Sequence, residues 1–211
     1  MQDRETLDRL LQTMLPEVPF DGWTSYAMQK AAERMHLDPL ELPSLCPGGP
    51  RDLVAAFSHW ADRETLRALA PLGLEKMKVR ERIAAGVRTR LAILASHREA
   101  VRRALSLLAA PQNLPLGMRL LYDTVDALWY AAGDTATDFN FYTKRGLLAG
   151  VYAATTLYWL DDRSPGSEET LAFLDRRLAD VMAIPRLGGR VREFASRLPD
   201  PFLFLRLARR R

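Results

Sequence analysis

Cysteine, histidine and long apolar runs are scarce in this 211-residue chain, and each scarcity closes a class of function. The single Cys46 allows no internal disulfide, so a reducing compartment is expected and the thiol reads as a small buried or turn residue. Only His36, His59 and His97 are present, and no paired Cys/His spacing offers a zinc site. Glu33-Arg34-Met35-His36 has the Glu-x-x-His spacing of di-iron carboxylate proteins, but such a site needs a second copy and two further glutamates. That second copy is missing, and the pair reads as a solvated helix face. Nucleophile elbows, phosphate-cradling Gly-rich loops and dinucleotide fingerprints are missing as well. No uncharged stretch exceeds 15 residues, the length of Gly146 to Leu160, against the roughly 20 that span a bilayer as a helix. Gly146 to Leu160 reads as a buried central helix. The segment Met1-Gln2-Asp3-Arg4-Glu5 lacks both the apolar block of a secretory signal and the bias of a transit peptide, which leads to the expectation of a cytoplasmic bacterial protein.

What is present is helical pattern. Apolar residues make up 48% of the chain, enough for a sizeable core, and no stretch alternates as a strand does, so the chain reads as all-α. Helices are predicted over 3–15, 24–37, 39–46, 50–69, 74–95, 97–109, 116–132, 139–160, 167–183, 187–198 and 201–210. Proline and glycine punctuate them at Pro16, Pro19, Pro47-Gly48-Gly49-Pro50, Pro111, Pro115 and Ser164-Pro165-Gly166-Ser167. Ser167 ahead of Glu168 and Glu169 reads as an N-cap. Three parts are expected: a helix-turn-helix-like region over 1–69, a helical domain over 70–198, and an amphipathic basic tail over 199–211.

Charge divides the chain unevenly. Residues 1–63 carry six Lys/Arg against ten Asp/Glu, a balance of −4, whereas the remainder carries 24 against 16, a balance of +8. The first helices have the lengths and order of the DNA-binding module of TetR regulators. Yet Leu40-Glu41-Leu42-Pro43-Ser44-Leu45-Cys46 stands where a recognition helix would be, with an acid, an interior proline and no basic residue. A major-groove reader needs donors for phosphates and base edges, and non-specific affinity needs cations. The module therefore reads as degenerate, with DNA an unexpected partner. Lys76, Lys78, Arg80, Arg82, Arg88 and Arg90 form a basic helix, read as a solvated face or as a contact for an acidic partner or anionic lipid.

Two apolar stripes follow at helical spacing: Leu121, Val125, Leu128 and Ala132 with Trp129 beside them, then Leu148, Val151, Tyr152, Thr155 and Trp159. Periodicity alone does not separate a filled core from a hollow one that accepts lipid. Asp126, Asp134 and Asp138 invite an acid/base reading, but Asp134 and Asp138 flank a helix break, where Asp is a standard cap.

Several gapped segments, in order, carry a family likeness: Ala110-Pro111-Gln112-Asn113-Leu114-Pro115, Asp126 to Arg145, Leu148-Ala149-Gly150-Val151-Tyr152, and Ser164-Pro165 followed by Thr170 to Arg177. With them the chain resembles, from about Trp23 to Val181, the TetR-like lipid-binding accessory protein family of ubiquinone (coenzyme Q) biosynthesis. The resemblance implies a non-enzymatic homodimer of TetR-like fold with no cofactor of its own. Its implied ligand is an isoprenoid quinone intermediate or phospholipid, held in an apolar pocket for which Leu121, Val125, Leu128, Trp129, Leu148, Val151, Tyr152 and Thr155 are the candidates. It further implies presentation of substrate to a di-iron hydroxylase through a face made by Asp138, Asn140, Phe141, Tyr142 and Arg145. Phe141 stands where some relatives have Trp, which keeps a flat apolar anchor and loses an N–H donor. The tail joins Phe202, Phe204 and Leu205 to Arg209, Arg210 and Arg211, an arrangement that lets it dock on a membrane surface at the bacterial inner membrane. Three arginines near an anionic leaflet add about 3 kcal/mol to that docking. A tail folded back on the body, or a disordered end, is the other reading. The alternative for the whole chain is a TetR-type repressor sensing a hydrophobic ligand.

Overall fold

Among the described residues the fold is built from ten α-helices whose ends are set by local chemistry. A computed structural model describes residues 2–133 and 139–195, with side chains over 3–133 and 144–181. The helices are α1 Gln2–Met14, α2 Val18–Asp21, α3 Ser25–Arg34, α4 Leu42–Leu45, α5 Pro50–Leu69, α6 Val79–Leu94, α7 Arg98–Leu108, α8 Leu114–Ala131, α9 Phe139–Asp161 and α10 Glu168–Ala195. No strand occurs among the described residues. Thr24 starts α3 as an N-cap, its Oγ1 accepting from the Ala27 amide at 3.2 Å. Pro50 opens α5 at a position where its missing N–H costs nothing. Glu81 accepts from the Lys78 amide at 2.9 Å and so closes the first turn of α6.

Four sequence expectations differ from what is observed. The segment 39–46 forms a single helical turn, α4, because Pro43 and the Pro47-Gly48-Gly49-Pro50 break leave no room to propagate one. Residues 74–76 form a separate 3₁₀ turn after Gly73, whose φ of +59° ends the preceding helix, and α6 begins only at Val79. The two helices expected over 167–183 and 187–198 are one, α10, whose backbone runs through Pro185 at the cost of one ladder hydrogen bond. Finally, Ser167 does not cap α10. Its φ is +59° and its Oγ accepts from Arg98 at 3.1 Å, while Ser164 Oγ and Asp162 accept the amides of Glu169 and Thr170 at 3.1 and 2.9 Å. The cap expected at Thr137-Asp138, like the tail helix 201–210, lies outside the described residues.

Helix α5 is the axis of the packing: it lies against α1, α6 and α8, while α9 packs between α8 and α10, and α10 returns to α6. One core cluster runs from Leu10, Leu11 and Met14 through Leu53, Phe57, Ile83 and Val87 to Trp159 and Leu174. Gly86 lets α6 approach α8 closely, since a Cβ there would sit 2.8 Å from the Leu128 side chain. The amino-terminal helices are pinned to α7 by Trp23 Nε1 donating to the Ala100 carbonyl at 3.0 Å and Arg103 donating to the Pro19 carbonyl at 2.9 Å. At the other end α8 stops where Gly133 adopts φ +83°, and Arg82 donates to the Ala132 carbonyl left open there, at 2.9 Å. None of the helices among the described residues is long and apolar enough to cross a membrane.

Candidate functional site

The five helices α5 to α9 do not close completely on one another. Between them lies a cavity of about 310 Å³, at the lower end of the range for small-molecule sites. Its walls are apolar because each helix turns part of its buried stripe toward it. Val54, Phe57 and Ala61 come from α5, Leu94 from α6, Val101, Ala104, Leu105 and Leu108 from α7, Leu120 and Leu121 from α8, and Ala153 from α9. At one side the wall is formed by Leu114, Met118 and Leu157, which are 51%, 65% and 59% exposed and form an apolar mouth.

A small polar group faces this apolar space. Arg90, on α6, is 3% exposed, and its Nε donates to Tyr152 Oη at 2.7 Å. Its Nη1 reaches Asp62 Oδ1 at 2.5 Å and its Nη2 reaches Ser58 Oγ at 3.2 Å. Thr124 Oγ1 donates to the second Asp62 oxygen at 3.4 Å, and His59 Nδ1 lies 3.9 Å from that oxygen. Burial raises the Asp62 carboxyl above the ordinary carboxylate range, with Arg90 offsetting part of the effect. Burial also opposes the Arg90 charge, but Tyr152 and Asp62 outweigh it and hold the guanidinium protonated. The result is a desolvated, internally neutral ion pair beside an apolar cavity.

Of the eight residues proposed from the two stripes, Leu121 and Tyr152 line this cavity. Val125, Leu128, Trp129, Leu148, Val151 and Thr155 are buried and lie outside its lining, Leu128 against Gly86 of α6 and Trp129 at the junction with α9. The basic helix is likewise divided. Arg90 points inward, Arg82 caps α8, and Arg80 and Arg88 both bond Asp175 of α10. It is therefore neither a wholly solvated face nor an open cationic one. Stripe periodicity missed Ser58, Asp62 and Arg90, yet a signal existed: Arg90 falls at helical spacing with Ile83, Val87 and Leu94, all buried.

Among the candidates for a partner face, Arg145 is buried and its Nε donates to Asp126 at 2.6 Å, which ties α9 to α8. Trp129 Nε1 donates to the Lys144 carbonyl at 3.3 Å at the same junction. The Asp126 of the imagined acid cluster is thus one half of an interhelical ion pair. Asp134 and Asp138 lie outside the described residues, as do the side chains of Asn140, Phe141 and Tyr142 and the tail residues Phe202, Phe204, Leu205, Arg209 and Arg210. His36 adopts φ +54° beyond the end of α3, so it does not share a regular helix face with Glu33. No three of the His, Cys, Asp and Glu side chains among the described residues gather in a way that would hold a metal ion.

A family model described as COQ9 matches residues 114–185, the stretch from the mouth of the cavity through α9 into α10. The chain is 35% identical over 198 residues to the ubiquinone biosynthesis protein COQ9, mitochondrial, of Rattus norvegicus, covering 90% of this chain and 63% of that protein. It is 30% identical over 201 residues to the ubiquinone biosynthesis protein COQ9-B, mitochondrial, of Xenopus laevis, covering 92% of this chain and 67% of that protein. This chain therefore spans somewhat under two thirds of the rat protein's length. In fold it is similar to a TetR transcriptional regulator from Nitrosomonas europaea, with a TM-score of 0.68 and 20% identity over 84% of this chain and 98% of that one. At that identity the likeness concerns the fold alone.

Proposed function

The chain belongs to the COQ9 family, and on that premise we propose that it serves ubiquinone biosynthesis as a non-enzymatic accessory protein that binds a lipid and presents it to a partner. The ligand is an isoprenoid quinone intermediate or a phospholipid, and the partner is a hydroxylase of the di-iron type. The observation that carries this reading is the apolar cavity between α5 and α9, with its exposed mouth at Leu114, Met118 and Leu157. Water gains little in such a space, whereas a hydrocarbon transferred into it gains about 25 cal/mol for each Å² of apolar surface buried. A cavity of about 310 Å³ does not enclose a long polyprenyl lipid whole, so part of any such ligand stays outside and accessible.

The protein works as a homodimer that visits the membrane surface through residues 201–211, and the segment from Asp138 to Arg145 docks the hydroxylase. Arg145 contributes by fixing the start of α9 against α8 through Asp126. The cavity is tested by incubating the protein with liposomes that carry a two-isoprene ubiquinone, then separating the protein and quantifying the quinone it retains. Uptake approaching one quinone per chain is expected, with loss of most of it in Ala153→Trp, which fills the cavity wall. Equal uptake by that variant, or none by the parent protein, would contradict the reading.

A further inference from the structure

The cavity has a direction. Helices α8 and α9 run antiparallel, since Trp129 meets Lys144 near one end of the pair. Along α8, the exposed Met118 lies six residues, or about 9 Å, from the buried Thr124; along α9, the exposed Leu157 lies five residues, or about 7.5 Å, from the buried Tyr152. Both helices therefore place the apolar mouth at one level and the Arg90–Tyr152–Asp62 group at the other. The cavity is open and greasy at the top and polar at the floor.

The floor is selective in charge. The Arg90 guanidinium is already matched by Asp62 at 2.5 Å, and its remaining described contacts go to Tyr152 and Ser58. A phosphate or carboxylate entering there would give up its hydration for a site with no cation left to neutralise it. What the floor retains is a donor. Tyr152 Oη accepts from Arg90, and no acceptor for its own hydrogen occurs among the described contacts, although it lines the cavity. Accepting from a guanidinium polarises that hydroxyl and strengthens it as a donor. The complementary group is a neutral oxygen, a carbonyl or a ring hydroxyl or ether, carried on an apolar body.

We propose that Tyr152, held by Arg90, selects lipids with an uncharged oxygenated head group and binds them head inward, with the hydrocarbon tail leaving over Leu114, Met118 and Leu157. This rests on the lipid-binding reading of the cavity and narrows it, favouring a quinone-type ring over a phospholipid. It also makes the bound form a carrying state, in which the ring is shielded until the ligand is released to a partner.

Three probes test it by calorimetric titration: two-isoprene ubiquinone, geranylbenzene as its oxygen-free counterpart, and lysophosphatidylcholine. The parent protein is expected to bind the quinone three- to tenfold more tightly than geranylbenzene, the effect of about one hydrogen bond, and lysophosphatidylcholine more weakly than either. In Tyr152→Phe the preference for the quinone should fall below twofold while the affinity for geranylbenzene stays unchanged, and the melting temperature should fall because the buried Arg90 Nε–H loses its acceptor. A merely structural tyrosine would shift all three ligands together. Geranylbenzene binding as tightly as the quinone in the parent protein, an undiminished preference in Tyr152→Phe, or tighter capture of lysophosphatidylcholine would each overturn the head-inward assignment while leaving a lipid cavity. Failure of all three probes to bind would overturn both the assignment and the cavity reading beneath it.

Discussion

Arg90 and Asp62 show how much a single buried charge depends on its partner. The guanidinium is 3% exposed, and the carboxylate, Tyr152 and Ser58 between them replace the water it has lost. Arg90→Met leaves Asp62 buried without a counter-charge and is expected to cost about 3–5 kcal/mol in urea unfolding. The double variant Arg90→Met with Asp62→Leu should recover most of that loss, because no orphaned charge remains. If the double variant were no more stable than the single, the ion pair would not be the cause. Cys46 offers a second check: burial, with Asp52 adding to it, pushes its thiol up to about 11. Only a small fraction is thiolate near pH 8, so native protein should resist iodoacetamide and react after unfolding in urea. At this scale the sequence was only partly legible. Spacing along α8 and α9 identified which residues are buried but not which side of the buried stripe faces a void. Leu121 and Tyr152 thus line the cavity while Val125 and Val151 are buried away from it. The type of residue also misled, since Arg90 stood in a run of basic residues and only its register with Ile83, Val87 and Leu94 marked it as interior.

Helix ends were legible wherever proline or glycine dictated them, as at Pro50 and Gly133, and much less so where side chains made the corner. The turn from α9 into α10 depends on Asp162. Its buried carboxylate accepts from the Ser164 amide at 2.8 Å, from the Thr170 amide at 2.9 Å and from Thr170 Oγ1 at 2.5 Å, and Arg98 donates to its carbonyl at 2.6 Å. The Thr170 hydroxyl, followed by the Ser164 contacts, outweighs burial and holds this carboxyl well below the usual range. A lowered folded value means that the stabilisation is fully present above the unfolded value of about 3.9 and is lost as pH falls through the folded one. Stability measured by urea unfolding between pH 6 and pH 2.5 should accordingly fall with acid in the parent protein. In Asp162→Asn it should start lower and fall less steeply. Parallel curves for the two proteins would remove Asp162 as a source of the acid sensitivity. No sequence pattern pointed to this residue, because its partners lie up to eight positions ahead, across a turn whose Ser167 resembled the cap.

The all-α, TetR-like architecture was the part most open to reading, since it rests on helical period and element order rather than on any one side chain. The amino-terminal region keeps that architecture without the chemistry of a DNA reader: α4 is one turn long, and residues 1–63 carry a balance of −4. Trp23 and Arg103 also tie this region to α7, which forms a wall of the cavity. Gel shifts with random and promoter duplexes are expected to show no salt-sensitive binding by the whole chain, and sequence-selective retention would restore the regulator reading. Membrane docking through the tail is a separate proposal with its own test. Removal of residues 201–211 is expected to reduce co-sedimentation with anionic liposomes while leaving quinone uptake intact, and unchanged sedimentation would exclude the tail from that role.

Lipid carriage, on which the rest of the account depends, is tested most directly by solvent extraction and mass spectrometry of the protein purified natively from its own organism, beside a denatured-protein control. An isoprenoid quinone or its precursor is expected at close to one molecule per chain. Protein that emerges empty, and that also fails to take up quinone from liposomes, would contradict it.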